Sequence, residues 1–167
     1  MNGTAYTVPD WTGFGGIVAG VTATLAGLLF VAISINIRPI LDSPNLPNRA
    51  AQTLTVFGMP LVTGILLIVP GQSRAVLGTE FLVIGATVGA HLFLTDRRTE
   101  RYEHQTLLIL LTGRILPGVM SCGSLVACGA SLLADGGGGM YWDVVSVLGA
   151  VVFGLINAWV LMVEILR

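Results

Sequence analysis

Apolar residues run along this chain in five long stretches, each ended by a cluster of prolines, glycines or charges. A bilayer core of about 30 Å takes roughly 20 residues of helix, because a backbone in lipid must satisfy its own hydrogen bonds. The stretches cover residues 11–37, 50–69, 75–95, 106–134 and 141–166. The breaks between them are Pro39, Pro44 and Pro47, then Pro70-Gly71, then the charged run 96–104, then Gly136 to Gly139. This punctuation predicts an all-α fold: one transmembrane domain over residues 1–167, an integral membrane bundle of five transmembrane helices. The first ten residues carry no positive side chain, and no small-x-small cleavage site follows a short apolar core, so the first stretch is expected to be a retained span.

Within the spans, small and polar residues recur every seven positions, the spacing of a helix seam. Span one shows Gly13, Gly20, Gly27 and Ser34, a face without bulk that lets another backbone approach. Span three places Glu80, Thr87 and His91 on one face, with the two ionisable groups about 16 Å apart along the helix, and Gly85 and Gly89 on a neighbouring face. Span four carries Arg114, Ser121, Cys128 and Asp135, with Pro117, Ser124 and Ser131 in the adjacent row. Span five carries Asp143, Ala150, Asn157 and Glu164. Span two has no sustained row of this kind and is expected to be the most lipid-exposed helix. The seams predict a left-handed bundle of spans one, three, four and five, closed within one chain or between copies.

Composition agrees with lipid. Of 167 residues 54% are hydrophobic and 10% charged, and mean hydropathy is +0.86, far from the roughly 25% charged content of a soluble domain. Net charge is −1 and all eight basic residues are Arg, which fits a GC-rich genome and leaves no basic patch for nucleic acid. Cys122 and Cys128, six apart on one helix, are rotated roughly 240° from each other and cannot bridge. Arginine placement sets the orientation. Arg38, Arg49, Arg97, Arg98, Arg101 and Arg167 fall on one side and only Arg74 on the other, so the positive-inside rule puts the N-terminus outside and the C-terminus in the cytoplasm. Asp10, Glu80, Asp135 and Asp143 then lie on the outer side, with Trp11, Tyr141 and Trp142 at the interface.

Candidate chemistry is sparse. A charge inside the membrane is functional by default, which singles out Arg114; residues 115–133 are nevertheless long enough to span, so Arg114 can equally snorkel at the inner interface. His91 and Glu164 should lie near the same level, and a His–Glu–Arg cluster there either relays protons or fixes helix register as an ion-pair ring. Glu164 also has Arg167 three residues on, and Glu80 has Arg74 as a candidate partner. Pro117 should kink its helix by freeing the carbonyl of Gly113. The run Gly118-Val-Met-Ser121-Cys-Gly123-Ser124 has neither G-x-S-x-G nor G-x-S-G spacing, and no metal, Walker A or dinucleotide motif occurs. The Gly136 to Gly139 stretch is expected to be a flexible outer loop. The reading leans away from an enzyme, and no cofactor is expected.

Several strings carry a resemblance: Gly20-Val-Thr-Ala-Thr-Leu-Ala-Gly-Leu-Leu-Phe-Val-Ala-Ile-Ser-Ile-Asn36, Leu46-Pro-Asn-Arg-Ala50, Leu67-Ile-Val-Pro-Gly-Gln72, Gly78-Thr-Glu80 and Asn157-Ala-Trp-Val-Leu-Met-Val-Glu-Ile-Leu-Arg167. They resemble small multi-span integral membrane proteins of actinobacterial type. The likeness covers most of the chain, implies a bacterial plasma (inner) membrane location, and attaches no activity to any residue. Two function classes follow. One is a non-catalytic membrane subunit or modulator that packs through its seams against copies of itself or a larger membrane complex, with membrane lipid as its other partner. The alternative is a small homo-oligomeric channel or transporter lined by the polar faces of spans three to five.

Overall fold

The computed structural model describes residues 3–44, 46–98 and 116–165. Two short 3-10 turns, Thr4–Tyr6 and Val8–Trp11, lead into α1 (Thr12–Ile35). At Asn36 the helix breaks, with φ −106° and the side-chain amide donating to the Ala32 carbonyl at 2.9 Å. A short α2 (Ile37–Asp42) follows, which takes Pro39 in its first turn, where a missing N–H costs nothing. The long helices α3 (Leu46–Ile68), α4 (Arg74–Arg98), α5 (Leu116–Ala134) and α6 (Tyr141–Ile165) complete the described chain.

Four of these helices are long and apolar enough to cross a membrane, over Val8–Ile35, Leu46–Ile68, Arg74–Thr95 and Tyr141–Val163. They match expected spans one, two, three and five. In α5 the apolar stretch described is Gly118–Ala134; the first part of expected span four, residues 106–115, lies outside the described residues. Large apolar side chains face outward on every long helix, Ile17, Ile68, Val83, Val119, Leu148 and Trp159 among them, the surface expected of a protein whose surroundings are hydrocarbon.

The packing order differs from the expectation in one main respect. α3, expected at the lipid, is the most buried of the four membrane-length helices, with Phe57, Leu67, Thr53 and Thr63 essentially inaccessible. It packs against α1, α6 and α4, while α4 packs on α5 and α5 on α6, so α3, α4, α5 and α6 form a ring and α1 is appended to α3. The physical reason lies in the kind of side chain. α3 fills the bundle with bulky knobs, Val56, Phe57, Met59 and Leu67, and such knobs look the same in sequence whether they face lipid or protein. Pro60 is accommodated in its interior, fully packed, with the Thr63 hydroxyl donating to the Pro60 carbonyl at 3.3 Å.

Two crossings bring backbones close together. At the α1–α3 crossing, a Cβ added to Gly64 would lie 2.7 Å from the Gly15 carbonyl oxygen, and one added to Gly15 would lie 2.8 Å from the Gly64 oxygen. Between α4 and α5 the pair is Gly78 and Gly129, where a Cβ on Gly129 would meet the Gly78 oxygen at 2.5 Å. Gly85 continues that seam against Val126 and the Cys122 carbonyl. With little hydrophobic force between helices in lipid, van der Waals contact at such glycines is what holds the helices together.

One end of the bundle is capped. There the N-terminal turns, the α3–α4 turn and the glycine loop interlock. Met140 N–H donates to the Ala5 carbonyl at 2.9 Å, Gly138 N–H to the Tyr6 hydroxyl at 3.1 Å, and Gly139 N–H to Ser131 Oγ at 2.7 Å. The Trp142 indole donates to the Gly137 carbonyl at 2.6 Å. Gly137, Gly138 and Gly139 all have positive φ, and a side chain on Gly139 would collide with the Ala5 carbonyl. The loop expected to be flexible is therefore a specified turn that needs glycine for its conformation and for its closeness to the N-terminal segment.

Candidate functional site

Helix geometry decides which row of α1 meets α3. Gly15, Val18, Thr22 and Leu29 are buried. Gly13, Gly20 and Gly27 each precede one of these residues by two positions, and two residues turn a helix by roughly 200°, so the row sits on the far side. Gly13, Gly20, Gly27 and Ser34 are all exposed, and a Cβ added to any of the three glycines would meet nothing within 4 Å. Thr24 and Ser34 on this face donate their hydroxyls to the Gly20 and Phe30 carbonyls at 2.8 Å each. The result is a shallow, nearly polar-neutral strip flanked by Ile17, Leu28 and Val31.

The seam of α5 is turned inward. Ser121, Ser124, Cys128 and Ser131 are buried. Ser121 Oγ donates to the Ser146 carbonyl at 2.9 Å and Ser146 Oγ returns a bond to the Ser121 carbonyl at 2.8 Å, joining α5 to α6. Ser124 donates to the Met120 carbonyl at 2.5 Å, within its own helix. Cys122 and Cys128 are both free thiols, buried.

Near the capped end, in the first turn of α6, lies Asp143, 1% exposed. Neither of its carboxyl oxygens has a hydrogen-bond partner among the described residues. Cys128, 0% exposed, interacts with both the carboxyl and the main chain of Asp143. The sequence pattern sets Asp143 among the interfacial acids of the outer side, whereas the fold buries it. The available signal was its register, seven residues before Ala150, which is also fully buried.

The other singled-out residues are more dispersed. Glu80 is half-buried at the capped end and accepts a hydrogen bond from the Gln72 side-chain amide, not from Arg74. Arg74 instead reaches Asp135, at the end of the neighbouring α5, with both terminal guanidinium nitrogens, and its guanidinium carbon lies 5.9 Å from the Tyr6 ring centre. Asp135 ends α5 with φ +58°, so the chain reverses there and presents its carboxylate to α4. His91 is exposed on α4, and Asn157 is half-buried on α6. Glu164 is in the last turn of α6. Arg114, and with it the expected His91–Arg114–Glu164 cluster and the carbonyl that Pro117 would free, lies outside the described residues. Among the described residues no group of three or more His, Cys, Asp or Glu is placed to hold a metal ion.

No protein-family model, curated protein or solved structure matches the chain.

Proposed function

We propose that this chain is a non-catalytic subunit of a bacterial plasma membrane, crossing it five times with its capped end outside and its C-terminus in the cytoplasm, and pairing with a second copy through the outward face of α1. One observation carries the reading: a row of small residues at strict sevens, Gly13, Gly20, Gly27 and Ser34, on the side of α1 turned away from its own bundle. Glycine in a lipid-facing helix gains nothing from the lipid, and it permits close helix contact.

The second copy is the occupant that fits best. Two copies inserted in one membrane point the same way, and a two-fold axis along the membrane normal sets each residue opposite itself at the same depth. A seven-residue row of small side chains is complementary to itself in that arrangement, all along the helix. The pore alternative draws less support, since the hydroxyls of Ser121, Ser124 and Thr87 all donate to main-chain carbonyls.

The test uses a chain with Cys122 and Cys128 replaced by Ala. Gly20→Cys, oxidised in native membranes, should give a disulfide-linked dimer, whereas Val83→Cys, on the exposed face of α4, should not. Equal cross-linking at both positions would remove the basis for pairing through α1. A C-terminal reporter found outside the cell would overturn the orientation.

A further inference from the structure

Asp143 is the one described acid that the bundle buries with neither carboxyl oxygen hydrogen-bonded to a described residue. Its position in the first turn of α6 is one where the helix dipole favours an acid, yet a bare carboxylate removed from water carries a large solvation penalty unless a counter-charge or hydrogen bonds replace the water. The titratable groups around it are few. Cys128 faces it from α5. Helix α1 holds no ionisable residue, and α3 holds only Arg49, at the opposite end from the cap. The N-terminal turns bring Tyr6, whose hydroxyl is engaged with Gly138, and Asp10. Tyr141, on α6 itself, is exposed, and Arg74 is engaged with Asp135.

We infer that Asp143 is a proton-binding site: its carboxyl holds a proton while the capped end is closed, and release of that proton to bulk water lets water in between α5 and α6 at the level of Cys128. A proton is the ligand that fits, since a single carboxyl needs only one to become neutral, whereas a metal ion needs several further donors. The neighbouring Ser131 and Ser146 hydroxyls already donate to the Gly136 and Ser121 carbonyls and offer no proton to a bare carboxylate. The bonds that tie α5 to α6 through Ser121 and Ser146, and the Ser131–Gly139 bond of the cap, involve residues on either side of Asp143 along the chain. Ionisation would therefore act where α5 and α6 meet. This inference does not depend on pairing through α1.

Cys128 reports the opening. In Cys122→Ala protein reconstituted in liposomes, maleimide labelling of Cys128 is followed from about pH 5, above the range where a solvated carboxyl titrates, to about pH 9, just above that of a solvated thiol. Each rate is divided by that of the same protein in denaturant, which removes the pH dependence of a solvated thiol. The normalised rate should rise by about tenfold or more with pH, as water reaches a carboxylate that the apolar interior cannot hold. With Asp143→Asn added, which mimics the protonated acid, it should stay flat. Identical profiles with and without Asp143→Asn would overturn the proposal.

A second measurement needs no variant. Dicyclohexylcarbodiimide, which adds across its C=N bond to a protonated carboxyl in an apolar setting, should modify Asp143 of the unaltered protein at low pH and lose that reaction as pH rises. Absence of the adduct in the Asp143 peptide by mass spectrometry would overturn the proposal. So would protection by sodium ions at constant pH, because that would make the site one for a metal cation.

Discussion

Ser121 and Ser146 exchange hydrogen bonds across the α5–α6 interface, each hydroxyl donating to the other residue's carbonyl, at 2.9 and 2.8 Å. Both carbonyls belong to helical backbone, so the bonds add a further donor to acceptors that already have at least one. Bonds of this kind in membrane helices are worth about 0.6 kcal/mol on average and up to about 1.7. Ser121→Ala and Ser146→Ala should each lower the unfolding free energy in bicelles by about that amount, and the double variant should depart from the sum by about 0.5 kcal/mol or more, because the two residues share one contact. A loss several times larger would mean that the serines do more than tie two helices.

Two glycines of α5 make a matched pair for testing the α4 crossing. At Gly129 a methyl group would meet main-chain atoms of Gly78 and Leu82 at 2.5 and 2.8 Å, which cannot move aside without moving α4. At Gly123 it would meet nothing within 4 Å. Gly129→Ala should cost about 1–3 kcal/mol or more through overpacking, whereas Gly123→Ala should be neutral or stabilise by up to about 1 kcal/mol through helix propensity. Equal effects in the same unfolding assay would contradict the crossing.

The α3–α6 contact offers a rescue experiment. A side chain on Gly154 would run into the Phe57 ring, not into backbone. Gly154→Ala should therefore destabilise, and Phe57→Leu, which shortens the obstructing side chain, should recover part of that loss when combined with it. The sum of the two single effects should exceed the measured double effect by about 0.5 kcal/mol or more, as expected for residues in contact.

At the capped end, Gly139 has φ +56° and sits against Ala5. Gly139→Ala should displace the N-terminal turns, seen as faster hydrogen exchange at the Met140 amide, which donates to Ala5 in the native chain. Asp135→Asn, by comparison, removes an ion pair whose side chains are 36% and 62% exposed. That change should cost no more than about 1 kcal/mol, and Asp135→Ala somewhat more, since Asn tolerates the left-handed backbone better than Ala. If Asp135→Asn proved as damaging as Gly139→Ala, the ion pair would be holding the cap.

Four of the five span positions were legible because helix length in lipid is set by bilayer thickness, and the breaks at Pro39, Pro70 and Gly136 are strong punctuation. The rotation of α1 was not. Gly15 and Thr22 form one small row, and Gly13 and Gly20 another on the opposite side, so a helix with small residues all round does not announce which side it buries. For α3 the difficulty was the reverse: Phe57 and Leu67 are as suited to acyl chains as to neighbouring helices. Arg74 reaching Asp135, 61 residues away, needed the fold. So did the burial of Asp143, because an acid beside two aromatics at a helix start reads as an interfacial residue until the N-terminal turns and the glycine loop are seen folded over that end.

The Gly15–Gly64 crossing has a consequence for biogenesis. Both partners lie in the first two long helices of the chain, so α1 and α3 can dock as a hairpin at the translocon while α4, α5 and α6 are still unmade. The rest of the ring must then be assembled on a helix that already carries its passenger. The glycine row of α1 faces away from that growing ring throughout synthesis, and ring closure does not cover it.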